Sequence, residues 1–335
     1  MMDQPTGPLR LEPVFLPKIW AAEDLPPELN RALHVPSGTG EVWLASDRHH
    51  PTPVAEGELA GIGLDELMDR WPRWLAGGDR PVGFPLLFKV LSIGQWLSVQ
   101  VHPDDQSAAR LEGEPWGKSE AWHILAAEQD SHIIHGLEPG IGRDGLAQAL
   151  ADGRIGDILA RVPAAAGDTF HLTAGTVHAP GPGLTILEIQ QSSDLTYRFY
   201  DWDRPGLDGA MRELHIDKAM EVMRDSGPAA PTRSTLLTND NPGVELLVED
   251  PHFYLLRIEI TGSYTPPIMQ SGPRLLFVLA GGGRLMTPGC VPLTVTCGQT
   301  WLIPAGLPEW SLDSDATGTV FFEAGCGPAW RGDGA

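Results

Sequence analysis

The chain is patterned as short apolar runs separated by Gly- and Pro-rich breaks, with few stretches long enough for a helix. Residues 40–46 (Gly-Glu-Val-Trp-Leu-Ala-Ser) predict a strand, and the run from Phe84 to Asp105 predicts two strands split by Ile93-Gly94-Gln95. Residues 121–135 predict a hairpin. Further strands are expected from Thr169 and over 184–190, and 244–323 reads as strand and turn almost throughout. Helical spacing is confined to three places. Leu64, Leu67, Met68, Trp71, Trp74 and Leu75 recur at three- and four-residue intervals; 143–161 has a helical period interrupted by Gly153 and Gly156; and 213–224 is a third, shorter candidate. The stretch up to Leu33 is Pro-rich and weakly patterned. The small-residue stretch 226–234 is the best linker.

An internal echo organises these elements. Residues 167–178, Gly-Asp-Thr-Phe-His-Leu-Thr-Ala-Gly-Thr-Val-His, align without gaps to 298–309, Gly-Gln-Thr-Trp-Leu-Ile-Pro-Ala-Gly-Leu-Pro-Glu. Upstream, Trp122-His-Ile-Leu-Ala126 resembles Leu276-Phe-Val-Leu-Ala280. A strand pattern present twice predicts a mainly β chain built as two jelly-roll barrels with a few helical insertions. The expected division is 1–225 and 232–330. The echo puts Glu309 where the first copy has His178, and no counterpart of Gln100, His102 or Glu120 is read in the second copy.

Composition narrows the partners. Lys and Arg number 23 against 44 Asp and Glu, a net charge of −21, which disfavours nucleic acid and anionic membranes but not a small anion held by a local basic cluster. No apolar run approaches the ~18 residues of a membrane helix, and Met-Met-Asp-Gln-Pro-Thr-Gly-Pro carries no leader pattern, so a cytoplasmic protein is expected. Three cysteines without a Cys-x-x-Cys pair read as reduced thiols. No self-association element stands out, and a monomer is expected.

The candidate chemistry sits in the first copy. Gln100 and His102 share one face of a predicted strand, Glu120 enters the next, and His178 ends a third. Two imidazoles, a carboxylate and an amide oxygen aimed at one point would make a first shell for a divalent metal with a position left open. Scattered ligands have no compact spacing signature. The remaining histidines, among them His49, His50, His132, His135 and His252, read as core or surface residues.

Four ordered segments carry a resemblance. Residues 84–105, Gly117-Lys-Ser-Glu-Ala-Trp122, Ala174-Gly-Thr-Val-His-Ala179 and the stretch from Ile186 to Arg204, containing Ser-Asp-Leu-Thr-Tyr-Arg198, resemble the type I phosphomannose isomerases, a cupin-type family, in its short bacterial form. The resemblance is strong over 84–218, fainter over 9–75, and architectural beyond 232. It implies one zinc ion per chain on Gln100, His102, Glu120 and His178, a catalytic Arg198, an active-site Lys118, and matches at Asp194 and Ser98. It implies a phosphorylated hexose as substrate, with mannose 6-phosphate and fructose 6-phosphate interconverted through an enediol(ate). Lys118 fits either proton transfer or phosphate binding, and Arg198, which stays charged, fits an electrostatic clamp better than a base. The chain departs from the family at Trp20-Ala21-Ala22, where Trp-Gly-Gly is usual.

Two other classes use similar ligands: the non-haem iron oxygenases, with two histidines and a carboxylate on a cupin barrel, and a sugar-binding bicupin without turnover. The extra Gln100 and the neighbouring Lys118 and Arg198 weigh against the oxygenase. The intact Lys118, Asp194 and Arg198 weigh against the binding protein.

Overall fold

A computed structural model describes residues 4–78, 82–237, 243–266, 272–307 and 309–330; residues 1–3 and Pro308, used above, lie outside them. Among the described residues three antiparallel sheets carry the fold, which is mainly β with a few short helices. A six-stranded sheet runs in the order Val14–Pro17, Thr39–Ala45, Leu86–Ile93, Leu184–Gln191, Glu120–Ala127, Thr169–Leu172. A five-stranded sheet runs Tyr197–Tyr200, Val99–Val101, His178–Pro180, His132–Leu137, Leu159–Pro163. A nine-stranded sheet takes up most of the rest, and the N-terminal strand Leu9–Leu11 joins its edge by pairing with Thr300–Ile303.

The six-stranded sheet is buried on both faces, which is why Leu86–Ile93 and Leu184–Gln191 have no exposed position and show no simple apolar–polar alternation. One face, with Val42, Phe88, Val90 and Leu187, packs with Leu275, Phe277 and Phe322 of the nine-stranded sheet. The other, with Leu91, Trp122, Ile124 and Ile186, packs with Ile133 of the five-stranded sheet. Polar residues on this second face therefore open toward the space between the two N-terminal sheets. Trp20-Ala21-Ala22 is docked there too. Trp20 is buried, the Gly94 N–H donates to its carbonyl at 2.9 Å, and Ala22 N–H donates to Ser92 at 3.1 Å.

Three expectations need correction. Residues 121–135 are not a hairpin: Glu120–Ala127 and His132–Leu137 go to different sheets and do not pair. The segment 143–161 is not one interrupted helix. It is a helix over Arg143–Ala151, one 3-10 turn, and then the strand Leu159–Pro163; Gly153, at φ 67°, follows the helix end. The helix expected over 64–75 is split into Leu64–Arg70 and Pro72–Ala76, because Trp71 leaves helical geometry ahead of Pro72.

The echo is visible in the strand registers. Glu120 pairs with Leu172 and Trp122 with Phe170; at the same offsets Arg274 pairs with Ile303 and Leu276 with Trp301. On the other side, Trp122 faces Glu188 and Leu276 faces Glu323. The C-terminal copy is thus not without buried polar groups. Arg274 stands where the first copy has Glu120, and Glu323 where it has Glu188. The Tyr254 and Tyr264 hydroxyls donate to Glu323 at 2.8 and 3.2 Å.

Candidate active site

Residues facing each other directly across antiparallel strands share a face of the sheet. In the five-stranded sheet Arg198 is opposite Gln100, Gln100 opposite His178, and His178 opposite His135. That row faces the six-stranded sheet, from which Glu120 approaches. His102, two residues beyond Gln100, lies on the same side. His102 Nε2 is 3.4 Å from Glu120 Oε2, His178 Nε2 is 3.2 Å from Glu120 Oε1, and the Gln100 amide is 3.4 Å from His178 Nε2. All three ionisable residues are 2% exposed or less.

The ring tautomers are set from outside. His102 Nδ1 donates to the Leu195 carbonyl and His178 Nδ1 to the Thr176 carbonyl, both at 2.8 Å, which leaves each Nε2 lone pair directed at Glu120. Burial, reinforced by the Lys118 ammonium, drives His102 down to about 3, so the imidazole is neutral at physiological pH. Burial opposes the charge on Glu120, but the Lys118 ammonium beside it holds its carboxyl well below the usual range. Neither Glu120 oxygen has a hydrogen-bond partner, although Lys118 Nζ lies 2.8 Å from Oε2. A buried carboxylate next to two imidazoles whose Nδ1 atoms are occupied is a metal-capable arrangement. Among the described residues it is the one such group of His, Cys, Asp and Glu.

The site opens into a cleft of about 120 Å³ lined by five cations, Lys18, Lys89, Lys118, Arg198 and Arg212, together with Glu41, Glu120 and Glu188. In a chain of net charge −21 this is a strong local concentration of positive charge. The charges alternate. Lys18 pairs with Glu41 at 3.2 Å, Lys89 with Glu188 at 3.3 Å, and Lys118 reaches both Glu120 and, at 3.7 Å, Glu188. Burial works against Glu41, yet Lys89 and Lys18 hold it down at about 2. Glu188 goes the other way: burial, with Glu120 adding to it against Lys89, raises it to about 7. Arg198 Nε is buried without a hydrogen-bond partner, and Ser98 donates to the Gln100 amide oxygen at 3.3 Å.

Gln100, His102, Glu120, His178, Lys118, Ser98 and Arg198 therefore come together. Asp194 does not line the cleft; it is half exposed and pairs with His49. The sequence reading missed Lys89 and Glu188, which face each other across neighbouring strands. Their signal was a single charge in an otherwise apolar run, Phe-Pro-Leu-Leu-Phe-Lys89-Val-Leu and Leu-Thr-Ile-Leu-Glu188-Ile.

The catalytic-domain model of type I phosphomannose isomerase matches residues 9–129. A mannose-6-phosphate isomerase of Streptococcus mutans is 39% identical over 316 residues, covering 91% of this chain and 96% of that protein. The chain belongs to the type I phosphomannose isomerases. It is an isomerase of that family, and the relatives do not favour the oxygenase or the non-catalytic reading. The crystal structure of the Bacillus subtilis mannose 6-phosphate isomerase matches with a TM-score of 0.83 at 29% identity, over 95% of this chain and 99% of that one. A zinc-bound mannose 6-phosphate isomerase shares the fold at a TM-score of 0.76, with 14% identity over 96% of this chain and 100% of that one. No helix among the described residues of the isomerase is long and apolar enough to cross a membrane.

Proposed function

We propose that the chain interconverts mannose 6-phosphate and fructose 6-phosphate, with one zinc ion per chain held by Gln100, His102, Glu120 and His178. The carrying observation is the buried Glu120 carboxylate, set between two imidazole Nε2 atoms with the Lys118 ammonium beside it, at the floor of a cation-lined cleft. Nitrogen and oxygen donors of this kind suit zinc, and the neutral Gln100 leaves the ligand set with a single negative charge. Bound there, zinc would polarise the sugar carbonyl and stabilise negative charge as a proton moves between adjacent carbons.

The chain's own residues supply the rest. Arg198 remains charged, although burial and then Arg212 lower its pKa, and its unpartnered Nε, in the lining of the cleft, would be available to charge developing on the enediol(ate). Lys118 is within 3.2 Å of His102 and 2.8 Å of Glu120, placed for proton transfer or for the substrate's phosphate. Lys89 and Glu188 complete the polar wall, and the cations attract the dianionic substrate. Residues 1–225 hold this chemistry, and 232–330 form a second barrel of degenerate cupin type without a metal.

The test is zinc content of the purified protein followed by a coupled assay for fructose 6-phosphate formed from mannose 6-phosphate. Zinc near one equivalent and turnover that is lost to a chelator and restored by zinc are expected. Full turnover in metal-free protein would sink the zinc reading, and a zinc-loaded protein without turnover would sink the substrate assignment.

A further inference from the structure

The segment 117–120 delivers both Lys118 and Glu120, and each of its first three backbone N–H groups has its own acceptor. Gly117 N–H donates to Asp105 Oδ1 at 2.7 Å, Lys118 N–H to the Pro103 carbonyl at 2.9 Å, and Ser119 N–H to Gln191 Oε1 at 2.9 Å. The two side-chain acceptors are themselves joined, since Gln191 Nε2 donates to the same Asp105 Oδ1 at 2.9 Å. Gln191 is 3% exposed and is the last residue of the strand Leu184–Gln191; its own N–H donates to the Ser119 carbonyl at 3.2 Å. Asp105 opens the helix Asp105–Glu112, three residues after His102.

The clamp thus ties the backbone carrying His102 to the backbone carrying Lys118 and Glu120. Its tightness shows at Gly117, where a Cβ would lie 2.4 Å from the Pro103 carbonyl oxygen and 2.4 Å from the Asp104 carbonyl carbon. Both are backbone atoms with no side-chain slack. Asp105 and Gln191 also border a separate cleft of about 390 Å³ whose lining includes none of the cluster's residues. There His252 Nε2 stands 3.9 Å from Asp105 Oδ2, a contact from the C-terminal part of the chain.

We infer that Asp105 and Gln191 are positioning residues: through the N–H groups of Gly117 and Ser119 they set Glu120 and Lys118 against His102, and so set the affinity of the centre for zinc. The inference rests on the zinc reading above. Outer-shell partners that orient ligands typically alter metal affinity about 10–100-fold when removed, and the same range is expected here. Asp105→Asn keeps an Oδ1 acceptor for both donors and should restore what Asp105→Ala loses.

The experiment measures zinc affinity of the full-length protein by competition with a chromophoric chelator, with Zn2+ alone as the probe, beside the thermal midpoint of the metal-free form. Asp105→Ala and Gln191→Leu are expected to weaken zinc about 10–100-fold, and Asp105→Asn to stay within about 3-fold of wild type. The double variant should lose no more than the worse single one, because the two acceptors act as one unit. A purely structural role would lower the metal-free midpoint and leave zinc affinity where it was, and that result overturns the inference. So does equal damage from Asp105→Ala and Asp105→Asn. Failure of wild type to bind zinc, or wild-type affinity in His102→Ala, would instead overturn the metal reading and the inference with it.

Discussion

Gln100 and His178 stand directly opposite each other on neighbouring antiparallel strands, with the Gln100 amide 3.4 Å from His178 Nε2. The pairing register, and not loop conformation, sets the two backbones opposite each other. Glu120 reaches the same point from the facing sheet, which makes the centre a bridge between two layers. Scaffold strands hold such constellations more tightly than loops do.

Removing a member of this centre should therefore cost metal more than fold. His178→Ala is expected to weaken zinc by more than the roughly 10–100-fold typical of outer-shell changes, and Gln100→Ala by less than His178→Ala, because an amide oxygen is a weaker donor to zinc than an imidazole nitrogen. A zinc competition titration of both variants ranks them. The reverse order would remove His178 from the ligand set.

Acid should destabilise the metal-free protein through histidines buried in the neutral form. His123 lies clear of the metal-capable cluster, with Nδ1 2.9 Å from Thr169 Oγ1 and its ring against Phe322. Burial, with the Arg257 charge adding to it, lowers it to about 4. An unfolded imidazole titrates near 6.5. Between these two values the unfolded state binds more protons, so the contribution of His123 is complete above pH ~6.5 and is lost as pH falls toward ~4. Glu188, raised by burial to about 7, works with the opposite sign between the ordinary carboxylate range and pH ~7. A His123→Asn comparison isolates the histidine term. The slope of unfolding free energy against pH should flatten between pH ~4 and ~6.5, by up to about 1.4 kcal/mol per unit. Identical slopes in denaturant titrations would show that His123 titrates in the fold as it does in the unfolded chain.

The C-terminal copy makes a contrasting prediction. Tyr264→Phe removes a donor to Glu323 Oε2, a carboxylate only 2% exposed whose pKa burial raises. Leaving a buried acceptor short of a partner costs about 1–3 kcal/mol, so the urea midpoint should fall while kcat and KM stay at wild-type values. Glu309→Ala should likewise leave turnover intact. Loss of isomerisation in either folded variant would give the C-terminal sheet a part in the chemistry.

How far the sequence revealed this site depends on the range of each signal. Gln100 and His102 were legible because strand periodicity is local, and the echo was legible because it aligns without gaps; the matching registers of Trp122–Phe170 and Leu276–Trp301 are its structural counterpart. Lys89 and Glu188 were not. Each is one charge in an apolar strand, and they belong together only because the strands pair in a register that puts one opposite the other, 99 residues apart along the chain. The false hairpin over 121–135 has the same origin, since alternation marks a strand without naming its partner. Likewise nothing local tells Leu9–Leu11 that its neighbour is Thr300–Ile303.

Arg198 offers the sharpest division between binding and catalysis. It sits opposite Gln100, lines the cleft, makes no ion pair with any described residue, and keeps a buried Nε without a partner. A donor left free in the resting site is available for charge that appears only as the proton moves. Arg198→Ala should then lower kcat by about 10²–10³, the usual cost of one such donor in a water-poor site, with KM changing little. Arg198→Lys should recover only part of this, because an ammonium cannot reproduce the planar fork. Zinc content should stay at the wild-type level in both, since Arg198 is outside the proposed ligand set. If Arg198 instead grips the phosphate equally in ground and transition states, KM will rise and kcat will hold. Steady-state kinetics of the two zinc-loaded variants decide between these outcomes, and the second pattern would move Arg198 from catalysis to substrate binding.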